Sequence, residues 1–181
     1  MRIISGVYRH RVIVPPSNFK ARPTTDMAKE SLFNIIENLV TIEEIKVLDL
    51  FGGTGGITYE FASRGCPDVT CIELNYNHFS FIKKTVADLK FSGVKVLRAD
   101  VLKYLKNVGE KFDLIFADPP YDLPQLPQIP EMVLSADMLN PEGIFIMEHS
   151  AANDFSAMPQ FFQHKHYGAV NFSFFTLYKR D

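Results

Sequence analysis

The 181-residue chain lacks most of the features that mark secreted, membrane and metal-binding proteins. Its two cysteines, Cys66 and Cys71, are too few for a disulfide framework, and neither has Cys or His neighbours at zinc-ligand spacing. No metal is expected, and reduced thiols fit a cytoplasmic protein. No apolar run approaches the roughly 18 residues that a membrane helix needs, and no charged-then-apolar leader opens the chain. Internal repeats and low-complexity tracts are absent as well. Net charge is only −2, which as a sum argues against a nucleic-acid partner. The sum conceals a split. Residues 1–30 hold Arg2, Arg9, Arg11, Lys20, Arg22 and Lys29 against Asp26 and Glu30, a balance of +4, so the remainder carries −6. Such a terminus is either a solvated surface or the place where a polyanion docks.

What is present is a globular composition, 46% apolar, at a length that suits one domain with an appendage. Ile3-Ile4 and Val12-Ile13-Val14 flank a polar turn and predict a β-hairpin or paired extended segments. After Pro15-Pro16, the apolar spacing from Met27 through Leu32, Phe33, Ile35 and Ile36 to Leu39 predicts an amphipathic helix over 26–39. Residues 1–40 thus form an N-terminal extension, and 41–181 the main domain. From Lys46 on, strands and helices alternate. Strands are expected at 47–51, 69–74, 94–97, 112–117 and 144–148, with helices after each of the first four. Repeated βαβ units imply a parallel sheet covered on both faces, with a ligand crevice at the carboxyl ends of its strands. His164–Val170 and Phe172–Lys179 break the alternation and predict an antiparallel pair ending the sheet. Five prolines between Pro119 and Pro130 exclude helix there and shape a rim beside the crevice.

Gly53-Thr54-Gly55 follows the first apolar strand and opens a helix, which brings backbone and helix-start N–H groups close to a ligand. A dinucleotide fingerprint needs a third glycine at position 58, where this chain has Thr58, and a bare glycine turn is a weak signal. The strand ends strengthen it. Asp49 lies late in the first strand, where an unpaired carboxylate is costly, so it needs a polar or cationic partner. Glu73 ends the second strand, twenty residues beyond Gly53, where a carboxylate accepts both hydroxyls of a ribose. Asp100 follows the third, along the same crevice and within reach of an adenine amine. Either acid alone would equally serve as a helix cap. Together they point to an adenosine-containing ligand, which NAD and S-adenosyl-L-methionine both satisfy.

Asp118-Pro119-Pro120-Tyr121 after the fourth strand separates those two. The prolines fix a rigid turn and remove two N–H donors. A planar exocyclic amine is a poor nucleophile because its lone pair is delocalised. The Asp118 carboxylate and the Pro119 carbonyl can both accept its N–H bonds and favour tetrahedral geometry, while Tyr121 stacks on the base. Amine methylation is the chemistry this implies. Cys66-Pro67 lies far from this turn and reads as packing rather than as a nucleophile. His149, His164 and His166 have no evident partner and read as surface or sheet residues.

With these motifs in place, the sequence resembles the RsmD family of bacterial ribosomal RNA methyltransferases over nearly its whole length. The match runs through Met1-Arg2-Ile3-Ile4-Ser5-Gly6, Arg9-His10-Arg11, Arg22-Pro23-Thr24-Thr25-Asp26, Lys29-Glu30-Ser31-Leu32-Phe33-Asn34, Val47–Gly55, Ser63-Arg64-Gly65 and Asp118–Tyr121. The resemblance implies an α/β fold of the class I, Rossmann-like methyltransferase type. It further implies transfer of a methyl group from S-adenosyl-L-methionine to guanine N2 in small-subunit (16S) rRNA. The cofactor would be held by Asp49, Phe51, Gly53, Thr54, Gly55, Glu73, Leu74, Asp100, Val101 and Asp118, and the flipped guanine by Asp118, Pro119, Pro120 and Tyr121. Arg2, Arg9, Arg11, Lys20, Arg22 and Thr24 would meet RNA, naked or in a ribosomal assembly particle, and the enzyme would be a monomer without membrane contact. Gly52 stands where the family commonly has alanine, which changes little, while Gly56 and Thr58 replace the more usual alanine and glycine, a departure expected to alter helix packing behind the cofactor without removing a ligand. The competing readings are an amino-methyltransferase acting on adenine N6 in DNA or on a protein amine, and a non-catalytic NAD- or nucleotide-binding Rossmann module.

Overall fold

The computed structural model describes residues 1–19, 25–106 and 109–178. The helices are α1 (Asp26–Leu39), α2 (Gly56–Ser63), α3 (Tyr76–Asp88), α4 (Val101–Tyr104) and α5 (Ile129–Ser135). The strands are β1 (Lys46–Leu50), β2 (Asp68–Glu73), β3 (Val94–Arg98), β4 (Phe112–Ala117), β5 (Leu139–His149), β6 (Phe161–Tyr167) and β7 (Val170–Thr176). They form one seven-stranded sheet in the order β3-β2-β1-β4-β5-β7-β6. β1 to β5 are parallel, whereas β7 inserts antiparallel between β5 and β6. The α/β architecture and the antiparallel final pair agree with expectation. The position of β7 inside the pair is set by long-range pairing that local periodicity does not encode.

Central strands are buried on both faces, so they read as unbroken apolar runs rather than as alternation. On one face Val47, Leu114, Phe116, Ile144 and Phe174 meet Leu32, Phe33 and Ile36 of α1 and Phe61 of α2. On the other, Leu48, Leu50, Ile115, Phe145 and Phe175 meet Ile129 and Val133 of α5. Thr25 caps α1 by accepting from the Ala28 N–H at 3.2 Å. Met27, placed on the apolar face by spacing, is exposed, and Lys29 is buried in its stead.

The N-terminal segments pair as expected, as extended segments joined by an antiparallel bridge of Arg2 with Val12 and by backbone bonds from Ile3 N–H to Arg11 O and from Ile13 N–H to Met1 O. One expectation needs correction. The proline-rich segment does contain helix: a 3-10 turn at Leu126–Gln128 holds Pro127, and α5 carries Pro130 in its first turn. First-turn N–H groups have no intrahelical acceptor, so proline costs nothing there.

The N-terminal arm is tied to the sheet by a buried carboxylate. Glu60 of α2 is fully buried and accepts the Ile4 N–H at 2.8 Å, the Ser5 N–H at 3.0 Å and Arg64 Nε at 2.9 Å. Buried Lys29 of α1 stands 3.4 Å from the same carboxylate and donates to Arg2 O at 2.5 Å. Burial holds the Lys29 ammonium below its ordinary pKa, and the Glu60 charge works against that shift. At the turn of the arm, Gly6 has φ +80, and any Cβ there would collide with the Ser63 carbonyl. Replacing Glu60 by Ala strands a buried ammonium and two N–H donors, so denaturant unfolding should report a loss of about 3–5 kcal/mol. Glu37→Ala, which removes only the exposed partner of Arg64 at 2.6 Å, should cost under about 1 kcal/mol.

Candidate active site

The site lies at the carboxyl edge of the sheet, where β1, β2, β4 and β5 end beside one another. After Leu50 the chain turns sharply: Phe51 takes φ 65, Gly53 takes 57 and Gly55 takes 84. A φ above zero at Phe51 is strained for a residue with a side chain, and such strain persists where surrounding contacts fix the loop. The Gly52 N–H bonds Ile72 O at 2.8 Å, and the Asp118 N–H meets Leu50 O at 3.4 Å. Gly55 admits no side chain, because a Cβ would collide with the Tyr59 ring. The loop therefore presents bare backbone and the first N–H groups of α2 to the crevice. Thr54 is buried, and its hydroxyl donates to Met1 Sδ at 3.4 Å.

Carboxylates surround this loop. Asp49 is buried and accepts from Thr58 Oγ1 at 2.5 Å. The residue that breaks the dinucleotide fingerprint is thus the polar partner Asp49 needed. Burial raises the Asp49 pKa to about 7, with the Thr58 bonds opposing and the Glu73 charge adding to the rise. Glu73 is buried and takes the Gly53 N–H at 2.8 Å on Oε2 and the Asn75 N–H at 2.7 Å on Oε1. It is therefore oriented across the mouth of the loop. Asp100 caps α4, its Oδ1 accepting from Leu102 and Lys103 N–H at 2.9 and 3.3 Å. Val101 is buried behind it and Leu74 is exposed.

Asp118 is half-buried. Burial first, and then the charges of Glu148 and Asp49, push its carboxyl well above the usual range. Pro119 is buried and Pro120 exposed, so the turn is anchored on one side and open on the other. Tyr121 is half-exposed, and its hydroxyl donates to Glu148 Oε1 at 3.3 Å. Sequence reasoning missed Glu148. Its signal was an acid closing the otherwise apolar run of β5, the same signature that drew attention to Glu73.

The structure brings Asp49, Gly53, Thr54, Gly55, Glu73 and Asp118 to one edge, with Tyr121 beside Glu148. Arg9 and Arg11 are exposed on the arm, and Arg2 pairs with Asp26 at 3.2 Å. Lys20, Arg22 and Thr24 lie outside the described residues. Cys66 is buried and donates to Ile45 O at 3.2 Å, and burial pushes its pKa up to about 11, which suits packing. The reading of His149 and His164 as lacking partners is wrong. His149 is buried, its Nδ1 meets Ser150 O and its Nε2 meets Ser173 Oγ, both at 2.8 Å. His164 Nε2 meets Asn171 Oδ1 at 3.0 Å. Ser173 and Asn171 arrive only through the pairing of β7 with its neighbours. Among the described residues no group of three or more His, Cys, Asp or Glu is placed to hold a metal, and no helix is long and apolar enough to cross a membrane.

The Asp49 shift sets a pH dependence. Below about pH 4 the group is protonated both folded and unfolded, so it contributes no difference. Between about pH 4 and 7 the unfolded chain ionises while the folded site keeps its proton, and stability falls. Above about pH 7 the penalty is complete. Asp49→Asn should therefore melt higher than the parent at pH 8 in cofactor-free protein, with the gap closing towards pH 4. Thermal unfolding across that range checks it, and a gap that does not change with pH would contradict the assignment.

Comparison with known proteins agrees with this geometry. A family model described as conserved hypothetical protein 95 matches residues 1–176. A ribosomal RNA small subunit methyltransferase D of Buchnera aphidicola (subsp. Baizongia pistaciae) is 33% identical over 148 residues, 82% of this chain and 75% of that one. The Escherichia coli K12 protein of the same name is 28% identical over 159 residues, covering 88% and 79%. Among solved structures, the Escherichia coli yhhF protein superimposes with a TM-score of 0.85 at 25% identity, covering 97% and 96%. A hypothetical protein of Thermus thermophilus gives 0.84 at 23%, covering 98% and 99%. The seven-stranded sheet is that of the Rossmann-like class I methyltransferases, and the chain belongs to the RsmD family.

Proposed function

We propose that this protein transfers a methyl group from S-adenosyl-L-methionine to the exocyclic N2 amine of a guanine in small-subunit ribosomal RNA. The observation that carries the reading is the placement of Asp118. It ends β4 beside the glycine loop of β1, backed by Glu148 and followed by a turn of two prolines. The ribosomal RNA substrate class follows the names of the relatives, an exocyclic amine as acceptor follows from what an Asp-Pro-Pro-Tyr turn can bind, and guanine N2 follows from the resemblance to the RsmD family.

The residues fit the cofactor. Gly53 and Gly55 leave the loop without a covering side chain. Each Glu73 oxygen accepts one backbone N–H and retains a lone pair for a ribose hydroxyl. The charges nearest Asp49 and Asp118 are other carboxylates, a setting that favours a cationic ligand. When bound, S-adenosylmethionine supplies an electrophilic methyl group on a positively charged sulfonium. Asp118 and the Pro119 carbonyl accept the two N–H bonds of the amine and draw its lone pair out of conjugation. Pro119 and Pro120 offer no N–H that would compete for those acceptors. Tyr121, steadied by Glu148, stacks on a base that has left its helix. The methyl carbon would pass to the nitrogen as its bond to the sulfonium breaks and leaves a neutral thioether, and the nitrogen's excess proton would then pass to the Asp118 carboxylate, whose ionised form the cationic sulfonium favours, or to solvent. Rate enhancement rests on orientation and electrostatics.

Asp118→Ala should lower kcat for rRNA methylation about 10²- to 10³-fold, with S-adenosylmethionine affinity in calorimetry kept within severalfold. A variant that methylates at the parent rate would remove Asp118 from the chemistry.

A further inference from the structure

The −6 carried beyond residue 30 is not evenly spread. Residues 76–106 hold seven cations, among them Lys83, Lys84, Lys90, Lys95 and Arg98, against only Asp88 and Asp100, a local balance of +5. In the fold this stretch is α3, β3 and α4, the outer edge of the sheet. An edge strand commonly carries a charge that blocks edge-to-edge pairing, and Lys95 meets that need. It does not account for three lysines on and just after α3.

Lys83, Lys84 and Lys90 are exposed, and none forms an ion pair among the described residues. Lys83 and Lys90 stand on an open groove of about 490 Å³ floored by Val86, Phe91, Val94 and Val96. The arm adds its own charge here. Tyr8 packs edge-on against Phe91 at 5.2 Å and its hydroxyl donates to Leu89 O at 2.6 Å, which seats the turn bearing Arg9 against the end of α3. The turn that carries Arg9 and the end of α3 that leads into Lys90 are thus neighbours, although far apart in sequence. Meanwhile two cations of the N-terminal segment are engaged elsewhere: Lys29 with Glu60, and Arg2 with Asp26.

We propose that the α3–β3 edge, together with Arg9, binds the phosphate backbone of the RNA substrate. β3 lies three strands from β4, about 14 Å across the sheet at normal strand spacing. The surface therefore grips nucleotides remote from the reacting base and contributes to substrate binding rather than to the chemical step. This rests on the proposed action on ribosomal RNA. An acidic protein partner is the competing occupant. Separated, solvent-facing ammonium groups, two of them lining a groove, suit a regularly spaced polyanion better, because each phosphate contact releases a counterion.

The test is a triple variant, Lys83→Gln, Lys84→Gln and Lys90→Gln, compared with the parent on a small-subunit rRNA fragment at several salt concentrations. The slope of log Kd against log salt should shrink by about two to three, and KM for RNA should rise at unchanged kcat. S-adenosylmethionine affinity and thermal stability should match the parent. Single substitutions at Lys83 and Lys90 should each remove about one unit of slope. An unchanged slope and KM, in a preparation whose parent protein binds and methylates the RNA, would overturn this inference alone. Equal affinity for naked RNA combined with weaker action on small-subunit particles would overturn it in favour of a protein partner. A parent protein that neither binds nor methylates rRNA would overturn the functional reading and this inference with it.

Discussion

The Glu60 carboxylate is the contact on which the arrangement of this molecule depends. A fully buried anion must be satisfied, and Glu60 is satisfied by groups from three parts of the chain: two N–H groups of the arm, Arg64 at the C-terminal cap of its own helix and Lys29 of α1. Each contact fixes something further. Holding Ile4 and Ser5 seats the arm along α2, which leaves Met1 against Thr54 in the glycine loop and Gly6 against Ser63 at the far end. Engaging Lys29 aligns α1 beside α2 over the same sheet face. The arm is thus built into the core near the loop that opens α2.

A second constraint runs through the site itself. Asp49, Asp118 and Glu148 end neighbouring strands in surroundings that raise the proton affinity of the first two. Such a cluster works against the stability of the empty protein and favours a cationic ligand. The same burial therefore predicts both a pH dependence of folding and a preference for a cationic ligand such as a sulfonium. Glu148 joins this cluster to substrate recognition through Tyr121, because one carboxylate both raises the Asp118 pKa and steadies the exposed ring.

Much of this was legible in the sequence for identifiable reasons. The parallel strands are short apolar runs bounded by glycine and proline, and their carboxyl ends carry acids that a core does not tolerate without purpose. Hence β1, β2, β4, Asp49, Glu73 and Asp118 could be located from the residues alone. What stayed hidden depends on long-range contact. β7 reaches its place only by pairing with β5, and the same pairing supplies Ser173 to His149. Lys29 reads as a surface cation of an amphipathic helix because its partner lies 31 residues away. Thr58 reads as a missing glycine until the helix geometry turns its hydroxyl onto Asp49. Net charge summed over residues 31–181 hides structure as well, since an acidic remainder contains a basic sheet edge.

These features converge on one claim, that the carboxyl edge of this sheet holds a guanine amine at Asp118 for methylation. The most direct measurement is to incubate the parent protein with methyl-labelled S-adenosylmethionine and unmodified small-subunit ribosomal RNA, digest the RNA to nucleosides and identify the labelled one by mass spectrometry. The account predicts a single labelled product, N2-methylguanosine. Label in an adenosine or in a ring carbon, or no label in RNA at all, would contradict it.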